Sequence, residues 1–521
     1  MSFRFLKLSR VVISLLFLLG ITALFLDIKN YIPKEVIDTL LYLQFTSSLI
    51  NFLLLFSLTG AGFIFILVLT LLFGRIYCSV FCPLGAFQDI FIFFSNKLKK
   101  KKRNLYTKPY TKTRYLFLSL AVLFVIFNSF LLVLLLDPYS LFGRIANNIF
   151  RPLIIYGNNF LSSSLQSFDV YSVYPYDFKG INLTTFSLAL ISLLLVGFMS
   201  IKWGRLYCNS VCPVGTLLGF VSNFSLFRFS IKKDDCKSCG LCEWSCKANC
   251  IDSREMTIDM TRCVGCFNCL TVCSTGGVIL KNKSGKEIRG VKPKRINKNK
   301  RKFLAETALF IASASAFGFF QKIPLITKDT TVPEKRKTPV APPGASGISR
   351  FNMSCTGCNL CVASCPTQVL QPAFLEYGII NMFQPRMDYL KSFCNYECTI
   401  CTEVCPTGSL LPVRLEDKKL LQLGVAKLIK ENCIVFTQET ECGACSEHCP
   451  TKAVNMVPYK KIAAPEIKEE YCIGCGACEK ACPTKPYKSI YVLGNNIHKR
   501  ATKNLSKPKQ KIYQGTEDFP F

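Results

Sequence analysis

The stretch Cys472-Ile473-Gly474-Cys475-Gly476-Ala477-Cys478-Glu479-Lys480-Ala481-Cys482-Pro483 sets four cysteines in the spacing C-x2-C-x2-C-x3-C. The same spacing stands at Cys236, Cys239, Cys242 and Cys246, at Cys263, Cys266, Cys269 and Cys273, and at Cys355, Cys358, Cys361 and Cys365. Looser versions lie at Cys394, Cys398, Cys401 and Cys405, and at Cys433, Cys442, Cys445 and Cys449. These six quartets take 24 of the 29 cysteines. Three thiolates on one tight loop reach three irons of a [4Fe–4S] cube, and the fourth, opening the next helix, often ligates the other cluster of a pair. Pro366, Pro406, Pro450 and Pro483 follow the fourth cysteine in four quartets, while Lys247 and Ser274 stand there in the other two. Thiolate quartets also suit zinc. Six quartets, four of identical spacing, favour six clusters.

The remaining composition narrows the chemistry. Half of the 521 residues are apolar, and the length allows several domains. Cysteines at this density in an oxidising compartment usually mean disulfides; the spacing here reads as cluster ligands loaded before export. The net charge of +31 fits a nucleic-acid partner taken alone. The basic excess, however, sits in short runs beside apolar segments, as membrane topology requires, so a lipid bilayer and no nucleic acid is the expected partner. Only His448 and His498 exist, and no C-x-x-C-H occurs. That excludes covalent c-type haem and a bis-histidine haem within the bilayer.

Four apolar runs precede the first quartet: Val11 to Leu26, Ser48 to Phe73, Leu116 to Leu136 and Thr184 to Ile201. Each reaches or approaches the roughly 20 residues that cross a bilayer core. The first, behind Arg4, Lys7 and Arg10, also has the outline of a signal peptide, but no small-residue cleavage site follows. Loop 74–114 carries ten Lys and Arg, against two in 27–47 and three in 137–183. The positive-inside rule then places the N-terminus, loop 74–114 and the unit at 232–280 in the cytoplasm.

This region repeats itself. Gly74-Arg75-Ile76-Tyr77-Cys78-Ser79-Val80-Phe81-Cys82-Pro83-Leu84-Gly85 returns as Gly204-Arg205-Leu206-Tyr207-Cys208-Asn209-Ser210-Val211-Cys212-Pro213-Val214-Gly215. Two helical hairpins related by an axis along the membrane normal would bring Cys78, Cys82, Cys208 and Cys212 together. Cysteines at i and i+4 share one helix face, so the four are candidates for a redox relay: a further cluster or metal site, or two dithiols. The bland alternative is small buried packing residues beside a proline turn.

Residues 281–302 hold eleven basic residues in 22, ending in Lys300-Arg301-Lys302-Phe303-Leu304. This looks like a twin-arginine export signal with Lys for the first Arg. The apolar run 303–320 is expected to make a fifth crossing; the alternative is an amphipathic linker that leaves the C-terminal half in the cytoplasm. Residues 321–349 are expected to form an extended linker, 350–490 a four-quartet unit and 491–521 a loosely ordered basic tail. Runs 368–370 and 453–457 are expected to be short strands.

The spans, the repeated Y-C-x3-C-P-x-G motif and the following quartet pair, residues 1–280, resemble NapH-type membrane quinol dehydrogenase subunits. Residues 300–490 are similar to the NapG-type partner, an export signal followed by a four-cluster ferredoxin. The resemblance implies a bacterial inner-membrane protein in which the two are fused. It implies oxidation of menaquinol or ubiquinol, with a reductase outside the cytoplasm as acceptor and a second unit in the periplasm.

The fold class expected is an α-helical membrane protein (1–231) with two α+β bacterial-ferredoxin-like units. In the first unit the usual crossover would join Cys236, Cys239 and Cys242 with Cys273, and Cys263, Cys266 and Cys269 with Cys246. Pairing in the second unit is not readable, and Cys250 is left over. Two further readings stay open: a conduit from cytoplasmic ferredoxin without quinone chemistry, and a redox sensor. Asp89, Asp137 and Tyr139, near span ends, are either proton-release groups or interfacial anchors.

Overall fold

A computed structural model describes residues 3–57, 60–98, 105–127, 129–180, 182–282 and 338–503. The fifth crossing expected at 303–320, most of the basic linker and residues 504–521 lie outside them.

The N-terminal half is helical. It comprises α1 (Phe3–Leu26), α2 (Lys34–Tyr42), α3 (Phe45–Leu55), α4 (Gly62–Phe73), α5 (Tyr77–Val80), α6 (Pro83–Leu98), α7 (Thr111–Ile126), α8 (Leu131–Leu136) and α9 (Pro138–Ile145). A π-helical turn, Ala146–Phe150, leads into α10 (Arg151–Gln166), followed by α11 (Leu183–Trp203), α12 (Leu206–Ser210) and α13 (Pro213–Ser222). Among the described residues two helices, α1 and α11, are single segments long and apolar enough to cross a membrane. At 24 and 21 residues they span about 36 and 32 Å, against a bilayer core of about 30 Å.

The other two expected spans are interrupted. Ser48 to Phe73 is divided between α3 and α4: Phe56 turns left-handed at φ 48°, and neither half, at about 17–18 Å, reaches across a core alone. The α2–α3 pair is itself bent by 100°. The third expected span starts earlier, at Thr111, and breaks between α7 and α8 around Phe127 and Ser129.

Two small units cap opposite ends of these helices. The first has β1 (Phe227–Ile231) paired antiparallel with β4 (Val278–Asn282), and β2 (Ile251–Asp252) with β3 (Thr257–Ile258). It meets the C-terminal end of α11: the Arg205 amide donates to the Lys247 carbonyl at 2.9 Å, and Asn249 Nδ2 to the Trp203 carbonyl at 3.4 Å. Gly204, at φ 66°, permits this approach, since a Cβ there would stand 2.4 Å from the Lys247 oxygen.

The second unit pairs β5 (Leu370–Pro372) with β6 (Pro385–Met387), β7 (Leu421–Leu428) with β10 (Ile490–Arg500), and β8 (Val454–Tyr459) with β9 (Ile462–Ile467). It meets the other end of the helices. The Lys179 amide, ahead of α11, donates to Gln368 Oε1 at 3.1 Å, and Asn30, beyond α1, donates to the Ser364 carbonyl at 3.4 Å. Gly143 on α9 lies so close that a Cβ would stand 2.4 Å from the Cys358 oxygen.

Contacts place Gly74, Arg114 and Gly204, and Arg10 by way of Asp89 and Lys247, toward the first unit, and Asn30, Leu55, Leu134 and Lys179 toward the second. Among the described residues, α1 and α11 run unbroken between the two ends, and the α3–α4 and α7–α8 stretches do so in interrupted helices.

Three expectations change in the second unit. The linker expected to reach residue 349 is already packed at Val340, Ala341 and Ala345, which are buried, and the Met387 amide donates to the Val340 carbonyl. The tail expected from 491 begins as strand to Arg500, because β7 supplies a partner edge. Of the two short strands anticipated, 453–457 matches β8 and 368–370 overlaps β5 only at Leu370.

Candidate metal centres

In the second unit the fold joins neighbouring quartets. Cys355, Cys358 and Cys361 line one cavity with Cys405, and Cys433, Cys442 and Cys445 line another with Cys482. Cys394, Cys398 and Cys401 lie within electrostatic reach of Cys365, and Cys472, Cys475 and Cys478 of Cys449. The fourth cysteine of each quartet in this unit therefore lies with its neighbour's triplet, giving two crossed pairs. The Cys394 amide donates to the Cys475 carbonyl at 2.9 Å, so the pairs abut. Cys355→Ser and Cys405→Ser are expected to remove or alter one and the same electron paramagnetic resonance signal, and Cys365→Ser and Cys394→Ser a different one.

In the first unit, Cys263, Cys266 and Cys269 line a cavity with Cys246, and Cys242 interacts with Cys236 and Cys273. The first of these sets is the one expected with Cys246; of the other, Cys236, Cys242 and Cys273 are brought together, while Cys239 is exposed on its loop. Cys250, unassigned by spacing, lines the same cavity, with its sulfur 3.5 Å from that of Cys246.

These sets fit iron–sulfur clusters on two counts. Backbone amides point at the sulfurs: Leu410 to Cys405 at 3.4 Å, Ala426 to Cys472 at 3.4 Å, Ala453 to Cys449 at 3.2 Å and Ser489 to Cys482 at 3.4 Å. Such donors stabilise bound sulfur and tune the group it holds. Among the described residues no three His, Cys, Asp or Glu side chains close around a single ion. A cube spreads its thiolates further apart than one zinc does. Burial pushes the free thiols of Cys358 and Cys475 up to about 12, and those of Cys394 and Cys445 to about 11. Iron must displace those protons, so loading releases acid and is favoured at higher pH.

The repeated motif forms a second kind of site. Cys78, Cys82, Cys208 and Cys212 are all buried, and Cys212 lies within electrostatic reach of the other three. Cys82 and Cys212 immediately precede α6 and α13, and their sulfurs accept from the Gly85 amide at 3.4 Å and the Gly215 amide at 3.3 Å. Pro83 and Pro213 open the helices without losing a hydrogen bond, since the first amides of a helix have no internal partner.

The repeats are cross-tied by their arginines. Arg75 donates to the Cys208 carbonyl at 2.9 Å, and Arg205 to the Cys78 carbonyl at 2.6 Å. Both side chains are fully buried. Arg205 also pairs with Asp89, which receives Arg10 at 3.2 Å and Lys247 at 2.9 Å. Arg75 instead donates to Asn209 Oδ1 and to the Thr261 carbonyl of the first unit. The sequence showed these arginines recurring with the cysteines; their exchange between repeats needs the tertiary structure.

The four cysteines stand between the two units. Toward the first, Asn209 donates to the Ala248 carbonyl at 3.2 Å. Toward the second, Tyr207 donates to the Leu136 carbonyl at 2.8 Å, and Arg144 donates to the Leu134 carbonyl at 2.6 Å. The Arg144 guanidinium lies 4.9 Å over the Phe383 ring. Tyr139 is buried within electrostatic reach of Cys358, Cys361 and Cys405. Asp137 caps α9 through the Ser140 amide at 2.8 Å, and Asp89 is the hub of an ion-pair network. Both carboxylates thus have structural partners.

A family described as "4Fe-4S binding domain" matches residues 55–101 and 184–233, the segments that carry the repeated motif. A "4Fe-4S dicluster domain" family matches 354–409 and 440–485. The methylamine utilization ferredoxin-type protein MauM of Methylophilus methylotrophus is 29% identical over 185 residues, 34% of this chain and 78% of MauM. The ferredoxin-type protein NapF of Escherichia coli K12 is 27% identical over 143 residues, 27% of this chain and 77% of NapF. An uncharacterized Methanocaldococcus jannaschii protein, MJ0749, is 33% identical over 100 residues, 19% of this chain. That match spans 40% of MJ0749, less than half its length. No solved structure matches the chain. The chain is an iron–sulfur protein related to the ferredoxin-type proteins, with two regions that match 4Fe–4S-binding families.

Proposed function

We propose that this is a multi-pass membrane electron-transfer protein that joins a quinol donor to a reductase outside the cytoplasm. The observation that carries the reading is the place of Cys78, Cys82, Cys208 and Cys212: buried, gathered, and tied on one side to the first unit and on the other to the second. Six [4Fe–4S] clusters, held by the six crossed cysteine sets, would supply one-electron chemistry. The chain's own residues fix the order of those sets. Cys358 and its partners stand against α9, the Cys394 and Cys475 sets touch, and the Cys433 set lies furthest along the chain of contacts.

The positive-inside pattern supports a cytoplasmic first unit and, at the far end of α11, a second unit outside. The resemblance to NapH-type and NapG-type subunits supports quinol as the donor. A second reading, in which a soluble low-potential ferredoxin serves as donor, draws on Cys239, exposed on the first unit where a partner can approach.

One experiment separates them. The chain is purified anaerobically with its clusters oxidised, and a reduced menaquinone analogue is added. Reduction of the clusters, followed by electron paramagnetic resonance, is the expected result. Reduction by ferredoxin and none by quinol would replace the first reading with the second.

A further inference from the structure

The quartet that ends at Cys246 differs from the other five at one position. In each of the others a threonine stands two residues after the fourth cysteine: Thr275, Thr367, Thr407, Thr451 and Thr484. Its hydroxyl lies against the fourth sulfur, at 3.6 Å on Cys273, Cys365 and Cys449, at 3.7 Å on Cys405 and at 3.2 Å on Cys482. A sulfur bound to iron has lost its proton, so the hydroxyl is the donor. After Cys246 the same place is taken by Ala248, whose side chain has nothing to donate.

Cys250 stands in that gap. Its sulfur is 3.5 Å from that of Cys246, and it is 1% exposed. It lines one cavity with Cys246, Cys263, Cys266 and Cys269, among apolar side chains such as Phe229, Ile258 and Val264. A cube offers four irons to thiolates, so one of these five cysteines is surplus. Cys246 holds the fourth place of the recurring spacing, which leaves Cys250 over. Packing does not call for sulfur there. Four residues after Cys365 and Cys449 the corresponding positions are Val369 and Ala453, both buried. A thiol enclosed by apolar groups keeps its proton and so remains a donor.

We propose that Cys250 is a positioning residue of this set and not a ligand: its thiol donates to the Cys246 sulfur in place of the threonine hydroxyl, and this bond tunes the potential of the cluster held by Cys246, Cys263, Cys266 and Cys269. A donor to a ligating sulfur stabilises the more negative, reduced cluster and raises its midpoint potential. A thiol donates more weakly than a hydroxyl, so this cluster keeps a lower potential than a threonine would give it. The inference rests on this set holding a [4Fe–4S] cluster and is independent of which donor reduces the chain.

The test is a redox titration of the anaerobic full chain, followed by electron paramagnetic resonance. Cys266→Ser removes a ligand and so marks the resonance of this set; no resonance changed would sink the cluster reading itself. Cys250→Ala is expected to keep its iron and to move that one midpoint to a more negative potential, with the other resonances unmoved. Cys250→Ser, which restores a donor, is expected to bring the midpoint to the native value or above it. Ala248→Thr in the Cys250→Ala background, which supplies the hydroxyl of the other five quartets, is expected to do the same. An unchanged midpoint in Cys250→Ala, or a shift that neither restored donor reverses, overturns the proposal. Loss of about four irons per chain in both Cys250→Ala and Cys250→Ser would also overturn it, by showing Cys250 to be a ligand.

Discussion

Replacing Cys82 and Cys212 together by serine is expected to stop electron flow between the two ferredoxin units while both stay loaded. The reason is distance. The first unit meets the C-terminal end of α11 and the second meets the segment before its start, so about 32 Å of helix separates the two docking sites. Tunnelling rates fall steeply with separation, so transfer over that distance needs an intermediate redox group. Cys78, Cys82, Cys208 and Cys212 are buried and tied by hydrogen bonds toward both units. The two serines keep nearly the same volume and the same helix-start geometry, so the arginine ties to the Cys78 and Cys208 carbonyls persist. The measurement is stopped-flow reduction of the first unit with rapid-freeze resonance spectra of both. Prompt reduction of the first unit with the second left oxidised is expected. An unchanged rate at the second unit would remove these cysteines from the path.

The ferredoxin halves were legible because their chemistry is local. A C-x2-C-x2-C loop prescribes three ligands within seven residues, and the crossover in the first unit follows from two adjacent quartets. Pairing in the second unit was not legible, because it depends on which triplet each fourth cysteine faces after folding; Cys405 facing Cys358 is a tertiary fact. The helical half was legible in its repeat and its charge pattern and misread in its continuity. Hydropathy summed over Ser48 to Phe73 cannot register Phe56 turning left-handed, nor the 100° bend between α2 and α3. The exchanged arginines were visible as recurring letters. What the recurrence meant depended on the two motifs facing one another, so that each guanidinium reaches the other's carbonyl.

Asp89 illustrates how a residue's role changes once its neighbours are known. Its position near a span end suggested proton release, but three cations converge on it: Arg205 at 2.7 Å, Lys247 at 2.9 Å and Arg10 at 3.2 Å. Burial opposes its ionisation, yet Arg205, Lys247 and Arg10 outweigh that and hold the carboxyl well below the usual carboxylate range. A depressed acid contributes stability above its unfolded pKa and loses it only as pH falls through the folded value. Asp89 therefore stays ionised down through the usual carboxylate range and offers no proton near neutrality. Asp89→Asn keeps the shape and removes the one carboxylate that these cations share among the described residues, leaving buried cations facing each other. Removing one partner of a buried pair costs about 3–5 kcal/mol, a large part of a domain's stability. The three cations come from α1, from the start of α12 and from the first ferredoxin unit, so the loss should also loosen that unit's docking. A lowered thermal midpoint, faster protease cleavage after Cys246 and unchanged clusters in the second unit are the expected outcome. Arg10→Leu in the Asp89→Asn background should recover part of the loss, because one of the unpaired charges is then gone. Native stability in Asp89→Asn, with altered proton release on reduction, would instead return Asp89 to the proton path.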